Sequence, residues 1–261
     1  MAIIKEQHSM EKSNTENYER TNKYKQQYEF ESAIGLAIYK EDSKKGLRKQ
    51  DAKYREDMGN VITSFTRAIC CALEYRDSYT AGHQERVANL ALLVGKQFNC
   101  SEDQLKELYI GGMLHDIGKI GVPLNILSKS TPLNKMEFML LKDHVKIGYD
   151  ILKGVSFPWN IKDIILNHHE ALDGSGYPNG LRGDKISKAI RVITVCDVVE
   201  AMSTMRPYRI ARTRNEVLEE LKTGKAIKYD EEIANVMIDL IETKVYNPWK
   251  DSIIHSDVCE V

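Results

Sequence analysis

The stretch Ser101–Lys119, SEDQLKELYIGGMLHDIGK, holds a helix and the chemistry at its end. Ser101 followed by Gln104 forms a capping box, in which each side chain satisfies the other residue's free backbone N–H at a helix start. Leu105, Leu108 and Ile110 follow, the apolar positions of a helix. The stretch closes on His115 and Asp116, two potential metal ligands, with Gly118 just beyond, where the backbone can turn.

Helical signals continue on both sides. Val61, Phe65, Ile69 and Leu73 recur every fourth residue, and Leu90, Leu92, Leu93 and Val94 fall within Val87–Phe98. Asn134 can cap a helix through Met136, Met139, Leu140 and Leu141. Further helices are predicted over Ile161–Asn167, Ser187–Met202, Asn215–Lys222 and Glu231–Glu242, with Gly224 as a left-handed C-cap after the third of these. Alternating strand patterns are scarce and no short-period repeat is visible, so the fold class is all-α, a helical bundle. Asp173–Gly183, DGSGYPNGLRG, carries four glycines and Pro178 and is a loop, a natural place for binding residues.

Three segments are expected. Residues 1–57 form a polar extension rich in Lys, Glu, Gln and Asn with one apolar island, Ala33–Tyr39. It is read as a tail or leading helix, with a coupling helix or sensor remnant as the alternative. Residues 58–248 form the folded domain, and 249–261 a C-terminal tail.

Composition narrows the function. The 37 basic and 38 acidic residues leave a net charge of −1, without the basic stripe of a protein that binds duplex nucleic acid. Apolar runs are too short and interrupted for a membrane span, and Met1–Ser9 lacks the apolar core of a secretory signal. Cys70, Cys71, Cys100, Cys196 and Cys259 show no CxxC spacing and are odd in number, which fits reduced thiols and a cytoplasmic address.

Seven histidines are present; His8 and His255 lie in the tails, while His83, His115, His144, His168 and His169 fall in the helical body. Asp116 adjoins His115, and Asp197 sits in the apolar run Ile193–Val199. Any one of these alone reads as structural. As a set they point to metal, because imidazoles mixed with carboxylates suit Fe, Mn or Zn better than Mg or Ca. Five histidines and two aspartates exceed the needs of one ion, and a bridging carboxylate between two ions is the simplest use of them.

At these residues the sequence resembles the HD-GYP family of HD-domain phosphohydrolases. The run from Asp77 through His83 to Val87 is similar to its first motif, His115-Asp116-Ile-Gly-Lys119 to its HD motif, and His144 to its middle histidine. His168-His169-Glu170 with Asp173-Gly-Ser-Gly176-Tyr177-Pro178 resembles the naming motif, and Asp197 and Arg206-Pro207-Tyr208-Arg209 complete the series. The resemblance covers about Val61 to Ile241. It implies an HD-type bundle with an additional C-terminal GYP-type helical region, and hydrolysis of cyclic di-GMP or a related cyclic dinucleotide to linear pGpG or GMP.

By the same resemblance the metal ligands are His83, His115, Asp116, His144, His168, His169 and Asp197, holding two divalent ions, with Asp116 bridging. Tyr79 stands where some members have an acidic third-ion ligand, which argues against a third ion. Glu200 replaces a common Asp and keeps its charge. Two ions would make hydroxide available near neutral pH and neutralise the phosphate oxygens.

Lys119, one helical turn from Asp116, is placed at the same phosphate. Arg206 and Arg209, three positions apart, offer guanidinium forks to phosphate and guanine edges. Tyr177 offers a hydroxyl and an aromatic face. Asp77 is assigned protonation of the leaving oxygen, with helix capping as its alternative. A homodimer or a signalling protein is the expected partner class. The competing functions are another HD-superfamily nucleotide phosphohydrolase and a catalytically idle module that binds cyclic dinucleotides.

Overall fold

The computed structural model describes residues 48–76, 82–205 and 210–249, with backbone alone for 48–58 and 60. The chain divides between Asn60 and Val61 into two compact units, and every predicted site residue lies in the second. The described residues form helices α1 (Arg48–Arg76), α2 (His83–Gln97), α3 (Glu102–Leu114), α4 (Leu124–Leu127), α5 (Lys135–Lys142), α6 (His144–Leu152), α7 (Ile161–Asn167), α8 (Lys188–Ser203), α9 (Arg214–Gly224) and α10 (Glu231–Glu242). Short 3-10 turns span Ile117–Gly121 and Gly183–Lys185. Among the described residues no strand forms, so the all-α expectation holds. No described helix is long and apolar enough to cross a membrane, and no disulfide joins Cys70, Cys71, Cys100 or Cys196.

Local chemistry sets the helix starts. Ser101 and Gln104 make both bonds of the capping box at α3, 3.3 Å to the Ser101 hydroxyl and 2.9 Å to the Gln104 carbonyl. Asn134 and Glu137 do the same at α5, and Thr213 and Glu216 at α9. Ser187 caps α8. Each such cap contributes about 1 kcal/mol.

Among the described residues three apolar clusters fill the interior, the smallest being Cys70, Ala88 and Met113. The largest joins Val87, Leu90 and Val94 of α2, Leu108 of α3, Ile193 and Val199 of α8, and inward faces of α9 and α10. The second joins Leu73 of α1, Ile110 and Leu114 of α3, Ile117, Leu152 of α6, and Ile161 and Ile165 of α7. Helix α3 contributes to all three, and His115 follows directly from its end.

One sequence expectation changes. Gly224 is the last residue of α9, and the left-handed residue is Ala226, at φ 62°. A Cβ at Gly224 would strike the Tyr229 ring, so glycine is there for space. The Val61/Phe65/Ile69/Leu73 face is covered only at its C-terminal end: Leu73 is buried, whereas Val61 and Phe65 are well exposed.

Candidate metal centre

Helix termini deliver the histidines. His83 and His144 are the first residues of α2 and α6, and His115 and His168 cap the C-termini of α3 and α7, with His169 next in line. Asp197 alone comes from a helix interior, that of α8. Gly118 is what lets the parts meet. A Cβ at Gly118 would collide with the His144 carbonyl, so glycine allows the turn after Asp116 to lie against the start of α6.

The seven predicted ligands gather as two groups. Asp116, His144, His168 and His169 each place a donor atom within 4.8 Å of the others, and His83, His115 and Asp197 do likewise. Asp116 links them through its two oxygens: Oδ1 lies 3.3 Å from His144 Nε2, and Oδ2 lies 3.3 Å from His115 Nε2 and 3.6 Å from His83 Nε2. Asp197 also reaches both ways, with Oδ1 at 3.2 Å from His83 Nε2 and Oδ2 at 3.9 Å from His169 Nδ1.

The tautomers are fixed from behind. Nδ1 of His115, His144 and His168 donates to the carbonyl three residues earlier, of Gly112 (2.7 Å), Leu141 (2.6 Å) and Ile165 (2.9 Å). The other nitrogen, Nε2, therefore presents a lone pair wherever the ring is neutral. His144 Nε2 and His168 Nε2 then face each other at 3.4 Å. His83 Nε2 and His115 Nε2 are buried without a hydrogen-bond partner. Buried lone pairs turned on one another are unfavourable, and a cation among them removes the conflict. The residues present fit two metal ions.

Charge divides along the same line. Burial works against charging His115, but Asp116 and Asp197 outweigh it and raise its pKa to about 10. For His83, burial is likewise outweighed, by Glu200 and Asp197. Burial lowers His168 and His144, and for His168 the imidazoles of His169 and His115 add to it. Burial also lowers His169, to about 3. Burial would raise both aspartates, yet Lys119 and His115 hold Asp116, and His115 and His83 hold Asp197, well below the usual carboxylate range.

Two supporting residues had no structural role assigned from the sequence. Glu200 is fully buried, pairs with His83 Nδ1, and receives Arg86 Nε at 2.7 Å. Its spacing of three from Asp197 puts both carboxylates on one face of α8, a signal present in the sequence. Buried Glu170 accepts the backbone N–H groups of Asn179 (2.7 Å) and Leu181 (2.9 Å), which shapes the glycine-rich loop.

Of the residues placed at substrate, Lys119 Nζ lies 2.5 Å from Asp116 Oδ2. The Tyr177 ring stacks on His169 with centroids 4.7 Å apart. Asp77, Tyr79, Arg206 and Arg209 lie outside the described residues.

An all-helical scaffold gathering histidines from helix ends, with Asp116 after one of them and Asp197 from a helix interior, is the arrangement of an HD domain. The chain belongs to the HD domain family, whose model matches residues 69–233, and its motifs are those of the HD-GYP type. It is 36% identical over 169 residues to the cyclic di-GMP phosphodiesterase response regulator RpfG of Xanthomonas campestris pv. campestris, covering 64% of this chain and 45% of that one. It is 36% identical over 182 residues to a cyclic di-GMP phosphodiesterase of Thermotoga maritima, covering 68% and 50%. The chain thus spans about half the length of these curated relatives. In fold it is similar to the HD domain of the phosphodiesterase PgpH of L. monocytogenes, solved in complex with cyclic di-AMP. The TM-score is 0.52 at 19% identity, over 72% of this chain and 100% of that one.

Proposed function

We propose that the chain is a metal-dependent phosphodiesterase that hydrolyses cyclic di-GMP to linear pGpG and onward to GMP, with two divalent transition-metal ions, Fe or Mn ahead of Zn. The observation that carries this is Asp116, whose two oxygens each turn to a separate group of buried imidazoles. The relatives named as cyclic di-GMP phosphodiesterases support the substrate. We place the enzyme in the cytoplasm, with a homodimer or a signalling protein as partner.

When bound, two divalent ions supply an activated water and neutralise the phosphate oxygens. The protein's part is to hold and aim. His83, His115 and Asp197 form one ligand group, and His144, His168 and His169 the other. Asp116 is shared, and Glu200 steers the His83 ring through Nδ1. Lys119, beside Asp116, follows the charge that develops on the phosphate during attack. Asp77 protonates the leaving oxygen. Tyr177, Arg206 and Arg209 hold the phosphates and bases.

The test is elemental analysis of protein purified without chelator, paired with turnover of cyclic di-GMP. About two ions per chain and production of pGpG are expected. Two ions with binding but no turnover would make the chain an idle binding module. Turnover of a mononucleotide in place of the cyclic substrate would make it another HD-superfamily phosphohydrolase.

A further inference from the structure

Two lysines flank the centre, and they are in different states. Lys119 pairs with Asp116, at 2.5 Å, beside the reacting centre. Lys142, the last residue of α5 and two before His144, has its ammonium 4.5 Å from the centroid of the Tyr177 ring and 4.9 Å from that of Phe138. Among the described residues no carboxylate oxygen is paired with it. The same Tyr177 ring stacks on His169, a proposed metal ligand. Lys142, Tyr177 and His169 therefore form a file that leads from the half-exposed rim to the metal centre.

A cation over an aromatic face is held by the ring's quadrupole and need not give its N–H donors to any acceptor. Lys142 is thus fixed in place by two rings with its charge unneutralised. A cyclic dinucleotide carries two phosphates. The one undergoing hydrolysis is matched by the metal ions and Lys119, and the other brings a second negative charge that the inner centre does not meet.

We propose that Lys142 is a further binding residue, beside those already assigned to the phosphates and bases, for the second, non-reacting phosphate of a cyclic dinucleotide, and so strengthens preference for two-phosphate substrates. This rests on the proposed phosphodiesterase function. Because Lys142 grips a group that does not change during the reaction, it stabilises ground state and transition state alike.

The experiment compares wild type, K142A, K142M and K142R, each with its metal content and helical content measured. The substrates are cyclic di-GMP and bis(p-nitrophenyl) phosphate, which has a single phosphate. For K142A and K142M, KM for cyclic di-GMP should rise about tenfold, corresponding to about 1.4 kcal/mol, with the loss falling on KM and not on kcat. The loss of kcat/KM on cyclic di-GMP should exceed that on bis(p-nitrophenyl) phosphate by a similar factor. K142R should recover most of the affinity. The gap between wild type and K142A should also narrow as salt is raised from 50 to 500 mM, since a partly exposed charge is screened.

An unaltered KM for cyclic di-GMP in K142A overturns the proposal. So does an equal loss on both substrates, which would make Lys142 a support for Tyr177 and the reaction centre. If wild type cleaves bis(p-nitrophenyl) phosphate but neither binds nor cleaves cyclic di-GMP, the proposed function fails first and this inference with it.

Discussion

His83 and His115 are surrounded by Asp116, Asp197 and Glu200, whereas His144, His168 and His169 are surrounded chiefly by one another. The two groups use the same side chain, yet the first is raised in pKa and the second lowered. Burial acts the same way on all five, so the neighbours decide. The carboxylates favour the protonated ring in the first half, and burial favours the neutral ring in the second. Loading metal should therefore release protons mainly from the first half.

Asp116 is the residue the two halves share, and its loss should have the largest effect. Asp116→Ala should lower activity by more than the roughly 10- to 100-fold typical of changes to residues that only support a ligand. It should also reduce bound metal in both halves. Half the wild-type rate in this variant would end the two-ion reading.

Single-ligand variants test whether the halves are separate. His83→Ala and His168→Ala should each drop metal content from about two ions to about one, with the surviving ion in the opposite half. Loss of both ions from either variant would show one cooperative cluster and dissolve the comparison.

Glu200 belongs to one half only. Glu200→Gln keeps size but removes the charge opposite His83 Nδ1 and opposite Arg86 Nε. Metal affinity should weaken by about 10- to 100-fold in the carboxylate-rich half, read by titration of Mn²⁺ into chelator-treated protein, with the other half holding its ion. Equal weakening of both sites would mean that Glu200 supports the fold of α8 and not His83.

The sequence disclosed the ligands more fully than their support. The caps at Ser101 and Asn134 and the helices they start were legible because capping is local chemistry. The histidines stood out because their residue type carries the chemistry wherever they fall. Glu200 was noted as a charge but not as the partner of His83, since that pairing spans 117 positions and is created by packing α2 on α8. Lys142 was hidden in the same way, as one lysine among many until the fold set it over Tyr177. Apolar periodicity also marks a helix without saying what covers it: Met136, Met139 and Leu140 of α5 are exposed. Arg206, Arg209 and Asp77 rest on the motif resemblance alone, lying outside the described residues.

The smallest expected effect is the most direct reading of the contrast: the stability of chelator-treated protein against pH. Histidines of the unfolded chain titrate near 6.5. His144, His168 and His169 are lowered in the native state, so below about pH 6.5 the unfolded chain binds protons that the native one refuses, and stability falls as pH falls. His83 and His115 are raised, so their contribution is complete below about 6.5 and is lost as pH rises toward about 10, the native value for His115. Asp116 and Asp197 are lowered and add a further loss only once pH falls below about 4. The two halves thus pull in opposite directions, and the melting temperature should peak near pH 6.5 and fall on both sides by on the order of 5 °C. His168→Gln should flatten the acid limb and spare the alkaline one, and His115→Gln should do the reverse. A melting temperature that climbs steadily from pH 5 to pH 9, or variants that flatten the wrong limb, would show that neighbouring carboxylates do not set the two halves apart.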